Sequence, residues 1–222
     1  MDLEIKDVAD ILNVSENTIQ ELLSKGEIPS YRLNQEYRFS RNEIEDWVMH
    51  NKVASKSKDS NEDSPSGKDQ FSLYRALNKG GLHYDIEGDQ KVSVIKNTME
   101  KIAVNLCFDP ESVSKLLMER ENLMSTALNN GIAVPHTRDF LLENHQNAIA
   151  TVFLDSPIEY NALDHKPVDT LFFLFASDDK QHLLLLAKLA HLCQDKEFLS
   201  LIKRKPSRSE FMGYIKSWET KL

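Results

Sequence analysis

The stretch Val168-Asp-Thr-Leu-Phe-Phe-Leu-Phe-Ala176 decides how the larger part of this chain folds. It is short, rich in β-branched and aromatic residues and almost wholly apolar, the pattern of a strand buried on both faces of a sheet. Ala148–Leu154, just upstream, is a second run of the same kind. Helical patterns flank the pair. Gln181–Gln194 reads as a helix with a buried face, and Ser207 with Glu210 forms a capping box ahead of Phe211, Tyr214, Ile215 and Trp218. Further upstream, Ile95, Met99, Ile102 and Leu106 share one helical face. Asp109-Pro110 then opens another helix carrying Val113, Leu116 and Leu117. Strands alternating with helices predict an α/β fold with a mixed sheet flanked by helices on both faces.

The chain of 222 residues is long for one compact domain and comfortable for two unequal ones. Residues 51–69 have almost no bulky apolar side chain and read as a flexible linker, because such a segment cannot offset its ordering entropy by burial. The expected organisation is a domain over 1–50, the linker, and a domain over 70–222, the two folding independently. The first block reads as helix, turn, helix, hairpin, helix. Val8, Ile11 and Leu12 mark one helix, and Ser15 caps a second carrying Ile19, Leu22 and Leu23. Gly26 stands where that helix ends, Tyr31–Phe39 forms a hairpin, and Ile44, Trp47 and Val48 mark the last helix.

Charge is unevenly spread. The net is −8, and residues 1–50 hold eleven Asp/Glu against five Lys/Arg. That acidity is unlike a phosphate-binding surface. Cys107 and Cys193 provide neither a disulfide framework nor a CxxC metal spacing, and no other spacing implies a metal or an organic cofactor. No apolar run approaches the ~18 residues that cross a bilayer, and Met1-Asp2-Leu3-Glu4 lacks a signal-peptide pattern. A cytoplasmic location is expected.

Chemistry concentrates between Arg120 and Arg138, around Gly131-Ile-Ala-Val-Pro-His136. A neutral imidazole is a good nucleophile near neutral pH, and Pro135 restricts the backbone just before it. Phosphoryl transfer asks mainly for in-line positioning and charge stabilisation, and Arg120 and Arg138 carry guanidinium groups suited to phosphate oxygens. By residue types alone, a histidine after a proline in a loop, as His136 is, is far more often an ordinary surface residue.

Phe71–Leu222 resembles the enzyme IIA domains of the fructose/mannitol type in the phosphoenolpyruvate-dependent phosphotransferase system, particularly their nitrogen-regulatory branch. The residues carrying the likeness are Arg120-Glu121, Ser125-Thr126, Gly131–His136, Pro157-Ile158, Pro167-Val168-Asp169 and His182-Leu183. The resemblance implies that His136 accepts a phosphoryl group from a histidine phosphocarrier protein, that His182 supports it, and that Arg120 stabilises the phosphate. Thr126 and Arg138 join them as phosphate-binding residues. Such a domain forms a phosphohistidine without turning over a small substrate alone. The loop departs from the family at Ala127 and Asn129, where glycines are usual. Either the loop is reshaped, or residue 127 needs no positive φ.

Residues 1–50 resemble small winged helix-turn-helix domains of the excisionase and MerR-like type. Val8–Ser15, Thr18-Ile19, Gly26–Pro29 and Tyr37–Arg41 carry that likeness. It implies DNA binding, with Asn17, Thr18 and Gln20 on the reading helix, Lys25 at its end, and Arg32 and Arg38 on the wing. The leading expectation is a regulatory phosphocarrier with DNA, a regulatory target protein or a second copy of the chain as further partners. Two alternatives stay open: a sugar-transport component passing phosphate to a IIB domain, and a DNA-binding or interaction protein with an inactive relay domain. A protein-interaction role for residues 1–50 also stays open.

Overall fold

The computed structural model describes residues 2–12, 14–33, 36–50, 72–137, 139, 141–142 and 147–221. The expected linker 51–69 lies outside the described residues.

The N-terminal block follows from its caps. Strand β1 (Asp2–Leu3) leads into α1 (Ile5–Leu12), which buries Val8, Ala9, Ile11 and Leu12. Ser15 then caps α2 (Glu16–Lys25), its side chain accepting from the Thr18 N–H. Gly26 ends the helix in the left-handed region at φ 67°. Strands β2 (Tyr31–Leu33) and β3 (Glu36–Ser40) form the antiparallel wing, with β1 on the other side of β3. Helix α3 (Arg41–His50) follows, and the Trp47 indole N–H donates to the Glu27 carbonyl at 2.6 Å, tying α3 to the end of α2.

The C-terminal block begins with α4 (Leu73–Gly80) and β4 (Leu82–Ile86), then α5 (Lys91–Leu106) and α6 (Pro110–Leu123). Asp109 caps α6 with Pro110 in its first turn, as the sequence predicts. Strands β5 (Ile132–Ala133), β6 (Ala148–Ile158) and β7 (Val168–Phe175) complete a four-stranded sheet ordered β4-β6-β7-β5. The outer pairs are parallel and β6–β7 is antiparallel, so the sheet is mixed. Helices α7 (Asp179–Leu192), α8 (Lys196–Ile202) and α9 (Arg208–Glu219) follow.

Alternation along the central strands splits the core into two layers. Ile149, Phe153, Phe172 and Leu174 join the layer containing the buried side chains of α4, α7, α8 and α9. Ala148, Ala150, Val152, Leu171, Phe173 and Phe175 join the layer of α5 and α6. Helices therefore cover both faces. A Cβ on Gly80 would lie 2.2 Å from the Ile149 carbonyl carbon, so α4 crosses β6 this closely only with glycine there.

One expectation about the arrangement needs correcting. The blocks do not stand apart: α1 and α3 both pack against α7. Ten of the fourteen residues of α7 are buried, because one face meets the sheet and another meets the N-terminal block. An apolar stripe wide enough for two partners looks, in sequence, like one strongly buried face.

Candidate functional site

The site gathers where β7 ends and α7 begins. Beyond β5 the chain stays alongside β7: the Leu174 N–H donates to the Pro135 carbonyl at 3.0 Å, and His136 bridges Leu174 in parallel. His136 is thus held at the carboxyl end of β7. On the far side of the β7–α7 turn, Asp178 caps α7, and His182 lies in its first turns with its N–H on the Asp178 carbonyl. The two rings stand edge to face with centroids 5.2 Å apart. Arg120 reaches the same point from the last turn of α6.

The hydrogen bonds fix which nitrogen can react. His136 Nδ1 lies 2.8 Å from the Val134 carbonyl, which can only accept, so Nδ1 carries the proton. In the neutral ring Nε2 then holds the lone pair. Arg120 Nε–H points at that Nε2 at 3.1 Å, and the same guanidinium donates to the Met124 carbonyl at 3.0 Å. His136, His182 and Arg120 are all buried. Burial pushes His182 down to about 4 despite its carboxylate neighbour, leaving it neutral near pH 7.

Three of the expected residues, His136, His182 and Arg120, therefore converge, and Thr126 does not join them directly. The Thr126 hydroxyl donates to Glu121 at 2.6 Å, and its N–H donates to the same oxygen at 3.0 Å. Lys91 neutralises Glu121 from the other side at 2.7 Å. Thr126 thus braces the loop through Glu121, its one hydroxyl proton already engaged. Arg138 lies outside the described residues. Ala127 has no positive φ; Asn130 and Gly131 take the left-handed positions instead, at 69° and 80°. The turn is reshaped without requiring a glycine at 127.

The reading-helix residues face elsewhere. Asn17, Gln20 and Lys25 are exposed, while the Thr18 hydroxyl pairs with Ser15 Oγ at the cap. On the wing, Arg32 donates to the Tyr37 hydroxyl, and Arg38 is held by Glu4 and Glu36 at 3.1 and 2.7 Å.

No motif in the sequence marks the residues that α3 brings in. Glu45 is fully buried, with Oε1 2.9 Å from His136 Nε2 and Oε2 3.4 Å from His182 Nε2. Arg120 Nε donates to Glu45 Oε1 at 3.1 Å, and its Nη2 reaches Asp46 at 3.1 Å. Burial alone would raise the Glu45 carboxyl. Hydrogen bonds to the two histidines overcome it and hold the group well below the usual carboxylate range. One ligand atom each from Glu45, His136 and His182 falls within 4.8 Å of the others, a donor set that suits zinc. Arg120, however, puts a fixed positive charge 3.1 Å from two of those atoms. The cluster is an ion network with a cation already at its centre.

Comparison with known proteins agrees with this geometry. Residues 3–52 match a helix-turn-helix domain family. A nitrogen regulatory protein of Pseudomonas aeruginosa is 32% identical over 139 residues, covering 61% of this chain and 88% of that protein. Its counterpart from Escherichia coli strain K12 is 31% identical over 150 residues, covering 66% and 91%. The crystal structure of nitrogen regulatory protein IIA-Ntr from Neisseria meningitidis superposes with a TM-score of 0.58 at 25% identity, covering 64% of this chain and 98% of that one. No helix among the described residues is long and apolar enough to cross a membrane. Residues 75–218, well over half of the chain, match the EIIA 2 family of the phosphoenolpyruvate-dependent sugar phosphotransferase system, and the chain belongs to that family.

Proposed function

We propose that this chain is a cytoplasmic regulatory phosphocarrier that takes a phosphoryl group on His136 Nε2 from a histidine phosphocarrier protein. The observation that carries the reading is the orientation of one ring. Nδ1–H is spent on the Val134 carbonyl, leaving Nε2 as the nucleophile beside the Arg120 guanidinium. Arg120 is the donor for phosphoryl oxygens. His182, neutral and one ring away, supports the group without accepting it. Thr126 acts at one remove, bracing the loop through Glu121. The helix-turn-helix block supplies regulation by contacting DNA through α2 and the wing. The nitrogen regulatory relatives favour this over a transport role.

Incubation with phosphoenolpyruvate, the first enzyme of the system and its histidine phosphocarrier, followed by intact-mass measurement, tests the reading. One acid-labile phosphoryl group per chain is expected on the wild type and none on His136→Ala. Full labelling of that variant would assign the acceptor elsewhere.

A further inference from the structure

Phosphoryl transfer to His136 requires no residue from the N-terminal block, yet two carboxylates of α3 fill the ground in front of the ring. Glu45 faces both histidines, Asp46 holds Arg120, and Arg41 at the start of α3 pairs with Asp179 in the first turn of α7 at 2.5 Å. We propose that the N-terminal block is a removable stopper on the phosphoacceptor, so that docking through α3 and phosphorylation of His136 exclude each other and a phosphoryl group on Nε2 expels the block. The proposal rests on His136 being the acceptor.

Space is the first reason. A carboxylate oxygen 2.9 Å from Nε2 stands within the volume that phosphorus and its oxygens take once bonded to that nitrogen. In transfer, the Nε2 lone pair forms the new bond to phosphorus while the donor nitrogen departs with the electrons of its own P–N bond. The Nδ1 proton stays on Nδ1, donated to the Val134 carbonyl. That in-line approach needs the position Glu45 holds. The contact between Nε2 and Glu45 Oε1 is a hydrogen bond only when Nε2 carries a proton, and that proton occupies the lone pair, so the contact and nucleophilic attack exclude each other.

Charge is the second reason. A bound phosphoryl group carries about −1.5 to −2 charges. It would face the buried carboxylate of Glu45 and the neighbouring Asp46 at close range, where repulsion is strong. Arg120 can compensate only one side. Its guanidinium now serves Glu45 and Asp46, and a phosphoryl group would take those donors, leaving the buried Glu45 and the partly exposed Asp46 without their cation. The acidic excess of residues 1–50 thus has a counterpart in the cationic pocket. The exposed side of α2 is free of this contact, so the device gates the histidine and leaves the reading helix open to solvent.

The test uses the full-length protein and potassium phosphoramidate, a phosphoryl donor small enough to need no docking surface. Label on His136 is followed by intact mass and peptide mapping, and compactness by small-angle scattering. Glu45→Ala and Arg41→Glu should both label about tenfold faster than wild type or more, as a small competent fraction implies. Arg41→Glu matters most, because it loosens α3 at its pairing with Asp179 while leaving the Glu45, Arg120 and His136 side chains in place. Labelled wild type should show an increased radius of gyration, and His136→Ala under the same treatment should stay compact. Equal labelling rates in all three proteins, or labelled His136 with unchanged scattering, would overturn the stopper and leave the acceptor assignment intact. No label on any of them, from phosphoramidate or from the histidine phosphocarrier, would overturn the acceptor assignment and the stopper together.

Discussion

Helices α2 and α3 are ten residues each in one small module, and they meet opposite surroundings. Along α2 only Ile19 is buried, and Glu16, Asn17, Gln20, Glu21 and Lys25 face solvent. Along α3, Ile44, Val48 and Met49 are buried as an amphipathic helix requires, but Glu45 is buried with them at zero exposure. A carboxylate is almost never buried unless paired. The difference between the two helices is what they face: α2 has water, and α3 has two histidines and an arginine. In a winged helix-turn-helix the reading helix draws the attention, whereas here the helix after the wing makes the connection to the chemistry.

The hardest way to break that comparison is to remove the cation between the blocks. Arg120 is 4% exposed and bonds Glu45, Asp46, His136 and the Met124 carbonyl. Deleting one partner of a buried ionic network leaves charges with neither water nor a counter-ion, at a cost of about 3–5 kcal/mol. Arg120→Ala should lower the unfolding free energy of the full chain by that amount in urea titration. A loss below about 1 kcal/mol would mean that Glu45 and Asp46 are solvated like the acids of α2.

Acid should weaken the same contact by a smaller amount. Burial, with His136 and Arg41 adding to it and Glu45 opposing it, holds His182 neutral down to about pH 4, against an ordinary value of 6.5. The unfolded chain therefore binds a proton there that the folded chain refuses. Stability from this group is complete above about 6.5 and is lost as pH falls toward 4, on the order of 3 kcal/mol across the window. His182→Gln should flatten the stability–pH curve between those limits. An unchanged slope would place the acid sensitivity at another group.

Most of the architecture was legible in the sequence, and the site only half so. The central strands, the Ser15, Asp109 and Ser207 caps and the Gly26 terminus follow local rules, and they stand where those rules put them. The short elements α4, β4, β5 and α8 escaped because their patterns extend over too few residues to show a period. His136, Arg120 and His182 were found because the motif carries their identity. Glu45 was not, for a physical reason. In Arg41-Asn-Glu-Ile-Glu-Asp-Trp47 it is one acid among three, and its burial depends on residues 75 and 91 positions away along the chain. Uneven charge was the one available signal. That acidity is unlike a phosphate-binding surface, and part of it faces an internal cation, Arg120.

The smallest effect is expected on the other side of the comparison, at α2. Asn17 and Gln20 are exposed on α2. Alanine is a better helix former than asparagine by a few tenths of a kcal/mol and nearly equals glutamine. Asn17→Ala with Gln20→Ala should therefore change stability by less than about 0.5 kcal/mol and leave the rate of His136 labelling unaltered. If α2 reads DNA, the same pair should relax sequence preference in a gel-shift titration, with little loss on random duplex. That random-duplex affinity should itself be low and only modestly salt-dependent. Arg38 is already neutralised by Glu4 and Glu36, and Arg32 is folded onto the Tyr37 ring, so few cations on the wing are available to phosphates. With two or three phosphates neutralised per module, the log–log salt slope should be about −2 to −3, at ~0.9 per phosphate. A slope several times steeper would require cations from the C-terminal block or a second chain at the duplex. A stability loss above about 1 kcal/mol from the alanine pair would show that α2, like α3, has a hidden partner, and would erase the contrast between the two helices.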